Sequence, residues 1–398
     1  MNSGISPSIT ELRKTPLHAL HRRLGARMVN FGGWDMPVEY PTTGGPLPGG
    51  LVAEHKAVRS SVGVFDVSHM GDIRIRTGKT SGGALAAVQH LSMNDASKLA
   101  IGQAHYSAML YPEGTFVDDV IVHRLGEDDF LFVINAGTRE KDVSWVRENV
   151  QGFDCVVEDL SDDYTQLAIQ GPRAVDVLQK LTDCDLAPIK NYWFTHGTVC
   201  GLPNRMMART GYTGEDGFEI YVPGDVGTSE MAWNAVMNAG KEFGILPCGL
   251  GARNTLRLEA KMALYGHEIS EKINVWEAAL DRYCKMEKPE FVGRAALAKA
   301  SANGLKRTLV GVEMIERGIA RDEYKVFDAA GEEVGVVTSG SPSPTLCKNI
   351  ALAYVPPALA AVGTTLLVEI RSQRVKAQVV ATPFYKRPRK AASQAVTN

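Results

Sequence analysis

The alternation of apolar and polar positions predicts helices mixed with strands over the first 290 residues. A short helix is expected between Thr15 and Gly25, because threonine suits an N-cap, Pro16 suits the first helical position and glycine suits the end. Between 72 and 134 the chain breaks into short β-rich runs, including 115–122 and 130–134. Apolar residues at helical spacing predict further helices at about 51–62, 172–181, 229–243 and 250–264.

The pattern changes after about residue 293. A short helix is followed by a series of apolar runs at fairly regular spacing, which predict a small β-barrel or sandwich. A stretch rich in glycine and proline at 42–50 predicts a flexible loop. The apolar runs cover 307–313, 324–327, 333–338, 350–355, 365–370 and 376–380.

Composition narrows the class of protein. The chain has 398 residues, 44% hydrophobic and 22% charged, which is enough for two or three globular domains. Its net charge of −2 argues against nucleic-acid binding as the main function. The longest uncharged stretch, 349–368, contains Pro356-Pro357 and suits strands better than a membrane span. The cysteines do not have metal-ligand spacing, and the N-terminus does not have the apolar segment of a secretory signal. The sequence therefore predicts a cytoplasmic protein with reduced thiols.

The segment RTGYTGEDGFE, at 209–219, is the most informative in the chain. Three glycines within seven residues predict tight turns, since glycine enters positive φ at little cost. The aromatic and acidic side chains among them suit a pocket for a flat polar ring, because aromatics stack and carboxylates accept from ring N–H groups. A solvated surface turn is the alternative interpretation.

Asp118 and Asp119 interrupt an apolar strand. Successive side chains of a strand point to opposite faces, so at most one of the two enters a given pocket. A carboxylate among apolar residues is costly unless it is hydrogen-bonded or paired. The sequence therefore predicts either one buried carboxylate that awaits a polar ligand, or a bulged strand end with both groups hydrated.

Two other segments place charged groups in unusual positions. Asp66 and His69, within FDVSHMG, are expected to hydrogen-bond a turn and fix its shape. An acid–base pair or a metal site is the alternative, although no third metal ligand is visible nearby. Arg253 falls in the first turn of a predicted helix, where the helix dipole disfavours a cation, so an anionic or carbonyl partner is expected in a pocket or on the surface.

Taken together, these segments closely resemble the T-protein family of the glycine cleavage system. The resemblance runs from about Leu12 to Lys386, and its specific signal is FDVSHMG at 65–71 found together with RTGYTGEDGFE. The other matching segments are TPL at 15–17, FGGWDMP at 31–37, GLGAR at 249–253 and SGSPSPTL at 339–346.

The resemblance implies an α+β fold of three domains in a cloverleaf around a central folate channel, with a C-terminal β-barrel-like domain. It places a folate-binding region at 1–290, with two intertwined α+β subdomains of which one centres on about 72–150. The barrel-like domain is expected at 291–390 and a tail at 391–398.

The implied activity is aminomethyl transfer that depends on tetrahydrofolate. Lipoylated H-protein would carry the aminomethyl group on its dihydrolipoyl arm, tetrahydrofolate would accept the one-carbon unit, and ammonia would be released. H-protein and folate are the implied partners, with no nucleic acid, no membrane and no metal.

The resemblance also implies the roles of individual residues. Asp119 is expected beside the reacting folate nitrogens, where it would raise their nucleophilicity in its ordinary ionised form. Glu219 is expected to accept from the amino-pyrimidine edge of the pterin, and Arg253 to supply the family's cation in the site. Lys386 is expected near folate, with Arg387 as the alternative. The remaining residues of the implied folate channel are Met70, Tyr106, Ile121, Asn135, Tyr192 and Tyr212.

Two other functions remain possible: folate-dependent demethylation of a small methylated substrate on the same fold, and folate binding without turnover. The chain departs from the family in a longer loop at 42–50 and in lacking the tryptophan that the family often has near Arg282. Neither departure touches Asp119 or Glu219.

Overall fold

The computed structural model describes residues 11–41 and 49–388. Most of the predicted loop at 42–50 and the predicted tail at 391–398 therefore lie outside the described residues. The helices are α1 (His18–Arg23), α2 (Leu51–Ser60), α3 (Gly83–Leu91), α4 (Arg139–Asn149), α5 (Ala174–Gln179), α6 (Val226–Gly240), α7 (Leu250–Glu259) and α8 (Arg294–Asn303).

The strands form a two-stranded ribbon, two larger sheets and a barrel. In the first half of the chain they are β1 (Arg27–Phe31), β2 (Trp34–Glu39), β3 (Gly63–Asp66), β4 (Gly71–Thr77), β5 (Ala104–Leu110), β6 (Phe116–Gly126), β7 (Asp129–Ile134), β8 (Cys155–Asp159) and β9 (Tyr164–Gln170). In the second half they are β10 (Phe194–Val199), β11 (Leu202–Ala208), β12 (Gly217–Pro223), β13 (Leu246–Pro247), β14 (Thr308–Met314), β15 (Lys325–Phe327), β16 (Glu333–Ser343), β17 (Lys348–Val355), β18 (Thr365–Ile370) and β19 (Gln373–Val380).

The larger open sheet has six strands in the order β10-β11-β12-β9-β3-β13. Its neighbours pair antiparallel except β13, which runs parallel to β3. One face of this sheet packs against α5 and α6 around buried Ile169, Phe218 and Trp233. Successive side chains of a strand point to opposite faces of its sheet. The residues that alternate with Ile169 along β9 and with Phe218 along β12 therefore point toward the second sheet.

The second open sheet has five antiparallel strands in the order β5-β6-β7-β4-β8. Helices α3 and α4 cover one face, with Val88 and Val146 packed on Ile75 and Phe132. The β5–β6 pairing shifts register beside Val117, between the Met109–Asp118 and Leu110–Phe116 pairs. This irregularity lies next to the two adjacent aspartates.

The C-terminal strands close into a barrel in the order β14-β17-β16-β15-β18-β19, with β19 returning to β14. Valines and alanines fill its interior, among them Val312, Val326 and Ala353. The closed pairing decides between the two architectures that the sequence left open. The α+β class with a C-terminal β-barrel is confirmed.

Most predicted elements are confirmed, with two corrections. Thr15 does not cap the first helix, because its hydroxyl donates to Asp66 (2.7 Å) and Leu17 takes the N-cap position. The helix predicted to reach 264 ends at Glu259, since Lys261 has a φ of 54° and leaves the helical path. Helices α3 and α4 are not predicted by the sequence pattern. No helix in the described part of the chain is long and apolar enough to cross a bilayer.

Candidate active site

A cavity of about 230 Å³ lies between the inner faces of the two open sheets. Segments 260–263 and 280–283 complete its wall. The strands contribute alternate residues, as a pleated surface requires. These are Gln166, Ala168 and Gln170 from β9, Glu219 and Tyr221 from β12, and Asp119, Ile121 and His123 from β6.

Asp119 presents its carboxylate to this cavity and is held by two donors. Asn135 Nδ2 donates to Oδ1 (2.7 Å) and the Tyr106 hydroxyl donates to Oδ2 (3.1 Å). Burial raises the pKa of Asp119 to about 7, with a further contribution from the nearby carboxyl of Asp118 and opposing effects of the two donors. The expectation of ordinary ionisation is therefore corrected: near neutral pH this group exchanges between acid and carboxylate.

Asp118 faces away from the cavity and is fully buried. It accepts from the backbone N–H of Asn135 (2.9 Å), from Asn135 Nδ2 (2.8 Å) and from the Thr138 hydroxyl (3.1 Å). Its burial and the carboxyl of Asp142 raise its pKa well above the ordinary value. The alternative in which both aspartates are hydrated is wrong, although a register irregularity does adjoin them.

The segment 209–219 divides its acidic groups between structure and cavity. Asp216 forms a two-point ion pair with Arg209, at 2.9 and 2.6 Å. Glu215 pairs with Arg59 at 3.1 Å. Only Glu219 faces the cavity, where it accepts from the Thr210 hydroxyl. Burial raises its pKa, an effect that Thr210 and a nearby cation oppose.

That cation is Arg253, on the first turn of α7. Its guanidinium lies over the Tyr212 ring, 4.4 Å from the centroid, and lines the cavity. Within residues 11–41 and 49–388 it forms no ion pair, so the alternative of a surface carboxylate partner is not observed. Tyr212 is fixed in turn by donating its hydroxyl to the carbonyl of Ala263.

Asp66 fixes the turn that follows β3, as predicted. It accepts from the backbone N–H of Ser68 (2.9 Å) and from His21 (3.0 Å). Burial acts to raise its pKa, but His21 and the hydroxyls of Ser68 and Thr15 outweigh this effect and lower the pKa to about 2. His69 behaves differently: it is fully buried, and neither ring nitrogen has a hydrogen-bond partner among the described residues. His69 instead packs edge-on against Phe31, 5.6 Å between centroids.

The structure brings together nearly all of the residues that the resemblance implied. Lys386 is the exception: it is exposed and absent from the cavity wall, while its neighbour Arg387 lies 3.5 Å from Asp216. Tyr385 packs its ring on the guanidinium of Arg59, at 4.1 Å. The residues found on the wall are Met70, Tyr106, Asp119, Ile121, Asn135, Tyr192, Tyr212, Glu219 and Arg253.

Sequence reasoning missed several residues of the wall. Gln166 and Gln170 stand two strand positions from Ala168, and this alternation in TQLAIQ was the signal available for them. His123 is buried, its ring nitrogens have no hydrogen-bond partner in the described chain, and burial lowers its pKa to about 4, so it is neutral. Tyr283 and Arg282 lie in an irregular segment whose sequence gives no such pattern.

Comparisons with known proteins agree with this architecture. The model of the GCVT N-terminal domain matches residues 17–288, and that of the glycine cleavage T-protein C-terminal barrel domain matches 307–386. An aminomethyltransferase of Acidobacterium capsulatum is 66% identical, with 96% of this chain and 98% of that protein aligned. An aminomethyltransferase of Koribacter versatilis is 63% identical over 96% and 99%.

A solved structure shows the same overall fold. The crystal structure of the glycine cleavage system aminomethyltransferase T from Bartonella henselae has a TM-score of 0.85 and 32% identity, covering 94% of this chain and 99% of that one. The chain therefore belongs to the glycine cleavage T-protein family and is an aminomethyltransferase of the glycine cleavage system.

Proposed function

We propose that this aminomethyltransferase uses tetrahydrofolate as the acceptor and the aminomethyl-dihydrolipoyl arm of H-protein as the donor. The observation that supports this most directly is the position of Asp119. Its carboxylate faces a cavity between two sheets, it is held by Asn135 and Tyr106, and Glu219 lines the same cavity from the opposite sheet.

The polar groups of the cavity suit a reduced pterin. The amino-pyrimidine edge of such a ring presents parallel N–H donors, and the Glu219 carboxylate offers two acceptor oxygens in one plane. Gln166 and Gln170 line the same wall, where hydrogen bonds to Asp72, Thr210 and Thr213 hold their amide groups in place. Ring stacking is available from Tyr192 and Tyr212, which also line the cavity.

Asp119 acts on the reacting nitrogens. When bound, tetrahydrofolate supplies the nucleophilic nitrogens that take up the one-carbon unit. With a pKa of about 7, the Asp119 carboxylate would accept a hydrogen bond from such a nitrogen and take its proton as that nitrogen bonds to the carbon. The bonds from this carbon to its amino group and to the dihydrolipoyl sulfur break in exchange, so ammonia and the dihydrolipoyl thiol leave with the protons that the nitrogens give up. Asn135 and Tyr106 fix the orientation of the carboxylate throughout, because each occupies one of its oxygens.

The apolar part of the wall keeps water away from the transferred carbon. Met70, Ile121 and Val133 lie on the cavity surface beside the polar groups. An exposed aminomethyl carbon would lose its one-carbon unit to water as formaldehyde, so exclusion of water protects the product.

All six cysteines are free thiols, which supports the proposed cytoplasmic location.

The test is the Asp119→Asn variant. We expect turnover with lipoylated H-protein and tetrahydrofolate to fall by about 10²- to 10⁴-fold, since the amide cannot accept a proton, while the dissociation constant for tetrahydrofolate stays close to that of the wild type. Formation of methylenetetrahydrofolate measures the first quantity, and calorimetric titration measures the second.

Asp129→Asn is the matched control, because Asp129 forms a partly exposed ion pair with Arg74 on the same sheet. That variant should retain full turnover. Normal turnover by Asp119→Asn would refute the assignment of Asp119. A wild-type chain that consumes a small methylated substrate, but not the H-protein arm, would favour a demethylase.

A further inference from the structure

A second buried acid lies behind the sheet that carries Asp119. Asp142, on α4, is fully buried and lies beside Asp118, which is also fully buried. Lys141 donates to Asp142 Oδ1 (2.7 Å) and to the carbonyl of Val117, and so joins α4 to β6. The other oxygen of Asp142, Oδ2, is buried and has no donor in the described part of the chain. A buried acceptor without a donor is costly, so this atom requires an explanation.

A proton held between the two acids supplies the missing donor. The carboxyl groups of Asp118 and Asp142 lie within hydrogen-bonding reach of each other, where two ionised carboxylates could only accept and would repel. Asp118 already accepts three hydrogen bonds, from the backbone N–H and Nδ2 of Asn135 and from the Thr138 hydroxyl. With one shared proton the pair carries a single negative charge, which the ammonium group of Lys141 balances.

One amide connects this pair to the cavity. Asn135 Nδ2 donates to Asp118 Oδ1 (2.8 Å) and to Asp119 Oδ1 (2.7 Å). Among the neighbouring charges, Asp118 has the largest effect on Asp119, whose pKa it raises. Negative charge that resides on Asp142 lies behind the sheet beside Lys141, so it reduces the charge that Asp119 meets from Asp118.

Other titratable and charged groups surround the pair and Asp119. Behind the sheet, the Tyr265 hydroxyl donates to the Phe116 carbonyl (3.5 Å), and Tyr111 and Glu271 lie near Tyr265. Burial raises the pKa of Tyr265 and of the cavity tyrosines, so these hydroxyls are neutral near pH 7. The groups that line the cavity with Asp119 are Tyr106 of β5, Tyr192, Tyr212, Glu219 of β12 and Arg253 of α7.

We propose that Asp142 is a positioning residue of the reaction, which holds one proton in common with Asp118 and draws negative charge away from Asp119. This inference rests on the proposed function, because Asp142 acts through Asp119. Without the Asp142 carboxyl group, Asp118 would carry the whole charge. Asp119 would then keep its proton to higher pH, and less of the enzyme would hold the active carboxylate at neutral pH.

The experiment is the titration of Asp119 in the Asp142→Asn variant. The amide has the size of the carboxyl group and can donate to Asp118, but it cannot take a share of the charge. The pH at which Asp119 is half protonated should rise by about one to two units. Carbon-13 NMR of the aspartate carboxyl groups in the ligand-free, full-length protein measures this pH, with the signal assigned by its loss in Asp119→Asn.

The pH profile of kcat/KM for tetrahydrofolate separates this role from a structural one. In Asp142→Asn the decline should move to the same higher pH, while kcat/KM well above that pH stays at the wild-type value. A structural defect would instead lower kcat/KM at every pH. Glu140→Gln is the matched control, because it removes an exposed acid from the same helix and should leave both titrations in place. An Asp119 titration in Asp142→Asn that is unchanged or moves to lower pH would overturn the inference.

A measurement on the intact pair does not depend on the folding of Asp142→Asn. At about pH 9 ordinary carboxyl groups are ionised, but the pair should still show the infrared carbonyl absorption of a protonated aspartate, identified by its shift on carbon-13 labelling. Asp72 is another buried aspartate with a pKa well above its ordinary value, so the spectrum is recorded on Asp72→Asn. The absence of this absorption would overturn the inference.

Failure of the inference and failure of the proposed function give different results. An unshifted Asp119 signal, in an enzyme whose kcat/KM still declines near pH 7, would overturn the role of Asp142 alone. A shifted Asp119 signal without a matching shift of kcat/KM would refute the proposed role of Asp119 in the reaction.

Discussion

At the scale of single residues, strand alternation separates two adjacent carboxyl groups into different environments. Asp119 faces the cavity, whereas Asp118 is enclosed with Asp142 behind the sheet. Asn135 Nδ2 bridges the two by donating to both, at 2.8 and 2.7 Å. The alternation could be predicted from sequence, but the raised pKa of Asp119 could not, because it depends on burial and on groups brought in by other elements.

The raised pKa predicts a pH dependence. Protonation removes the carboxylate that accepts the proton, so kcat/KM for tetrahydrofolate should fall as the pH drops through about 7. The Tyr106 hydroxyl lowers this pKa, so Tyr106→Phe should move the decline to higher pH. The measurement is a pH profile of kcat/KM for both proteins.

Tyr324→Phe, on the barrel, is the control and should leave the profile in place. The Asp119→Asn variant should show no such decline in its residual activity. A profile that is identical in wild type and Tyr106→Phe would argue against Asp119 as the group that titrates.

At the scale of elements, the connection from β11 to β12 shows why its glycines are required. A Cβ on Gly211 would come within 2.1 Å of the Gln170 side chain, and one on Gly217 within 2.6 Å of the Ile169 carbonyl. Gly214 instead has a φ of 78°. Two glycines therefore permit close approach to β9, and one permits the turn. The connection reaches the cavity because it lies flat on that strand.

Gly214→Ala should destabilise the connection twice over. The residue would be strained at positive φ, and its Cβ would come within 2.8 Å of the Cβ of Ala260. We expect a loss of about 2–4 kcal/mol in the free energy of unfolding and weaker tetrahydrofolate binding, because the connection leads into the strand that carries Glu219. Denaturant unfolding and calorimetric titration measure the two effects.

Gly201→Ala is a control with nearly the same φ, 77°, and no neighbour within 4 Å of the added Cβ. It should lose only about 1 kcal/mol and keep its affinity for the ligand. Equal effects of the two substitutions would show that the contact with Ala260 does not matter.

The sequence predicted some elements better than others, for physical reasons. The barrel strands could be predicted because apolar and polar residues alternate along the sequence of a half-buried strand. Helix α4 was missed because charged residues make up much of REKDVSWVREN: its buried face holds Arg139 and Asp142 beside the apolar Val143, Trp145 and Val146, so no regular apolar spacing shows in the sequence. The pairing of β6 with β5 and β7 could not be predicted, since register depends on contacts between distant parts of the chain.

At the scale of the whole molecule, one buried ionic cluster joins the barrel to the rest of the protein. Glu259, at the end of α7, accepts from Arg59 of α2 (2.8 Å) and from the Thr345 hydroxyl in the connection after β16 (2.8 Å). Its carbonyl accepts from the backbone N–H of Tyr385 (2.8 Å). The helix and the barrel therefore meet at the Glu259 carboxylate, and the C-terminal segment meets the backbone carbonyl of the same residue.

Glu259→Gln should loosen this junction. Arg59 would lose its main buried partner, at a cost of about 3 kcal/mol in the free energy of unfolding at neutral pH. The pKa of Glu259 is lowered to about 2 by His55, Ser343 and Arg59 against the effect of burial. Its stabilisation is therefore present above the unfolded value of 4.5 and is lost as the pH falls toward 2.

Unfolding of both proteins in denaturant, at neutral pH and at about pH 2, measures this difference. The difference in the free energy of unfolding between wild type and variant should be smaller at about pH 2 than at neutral pH. Glu313→Gln is the control, since Glu313 pairs with exposed Lys348 on the barrel. This substitution should lower the free energy of unfolding by less than about 1 kcal/mol. A Glu259→Gln protein as stable as the wild type would show that Glu259 does not hold the barrel to the rest of the protein.

The two walls of the cavity belong to different sheets, and this gives the ligand a second effect. Any molecule that touches Asp119 and Glu219 together adds to the attraction between those sheets, so the folded state gains stability as the ligand concentration rises above its dissociation constant. The proposed ligand should therefore protect the enzyme against heat and against proteases in proportion to its concentration.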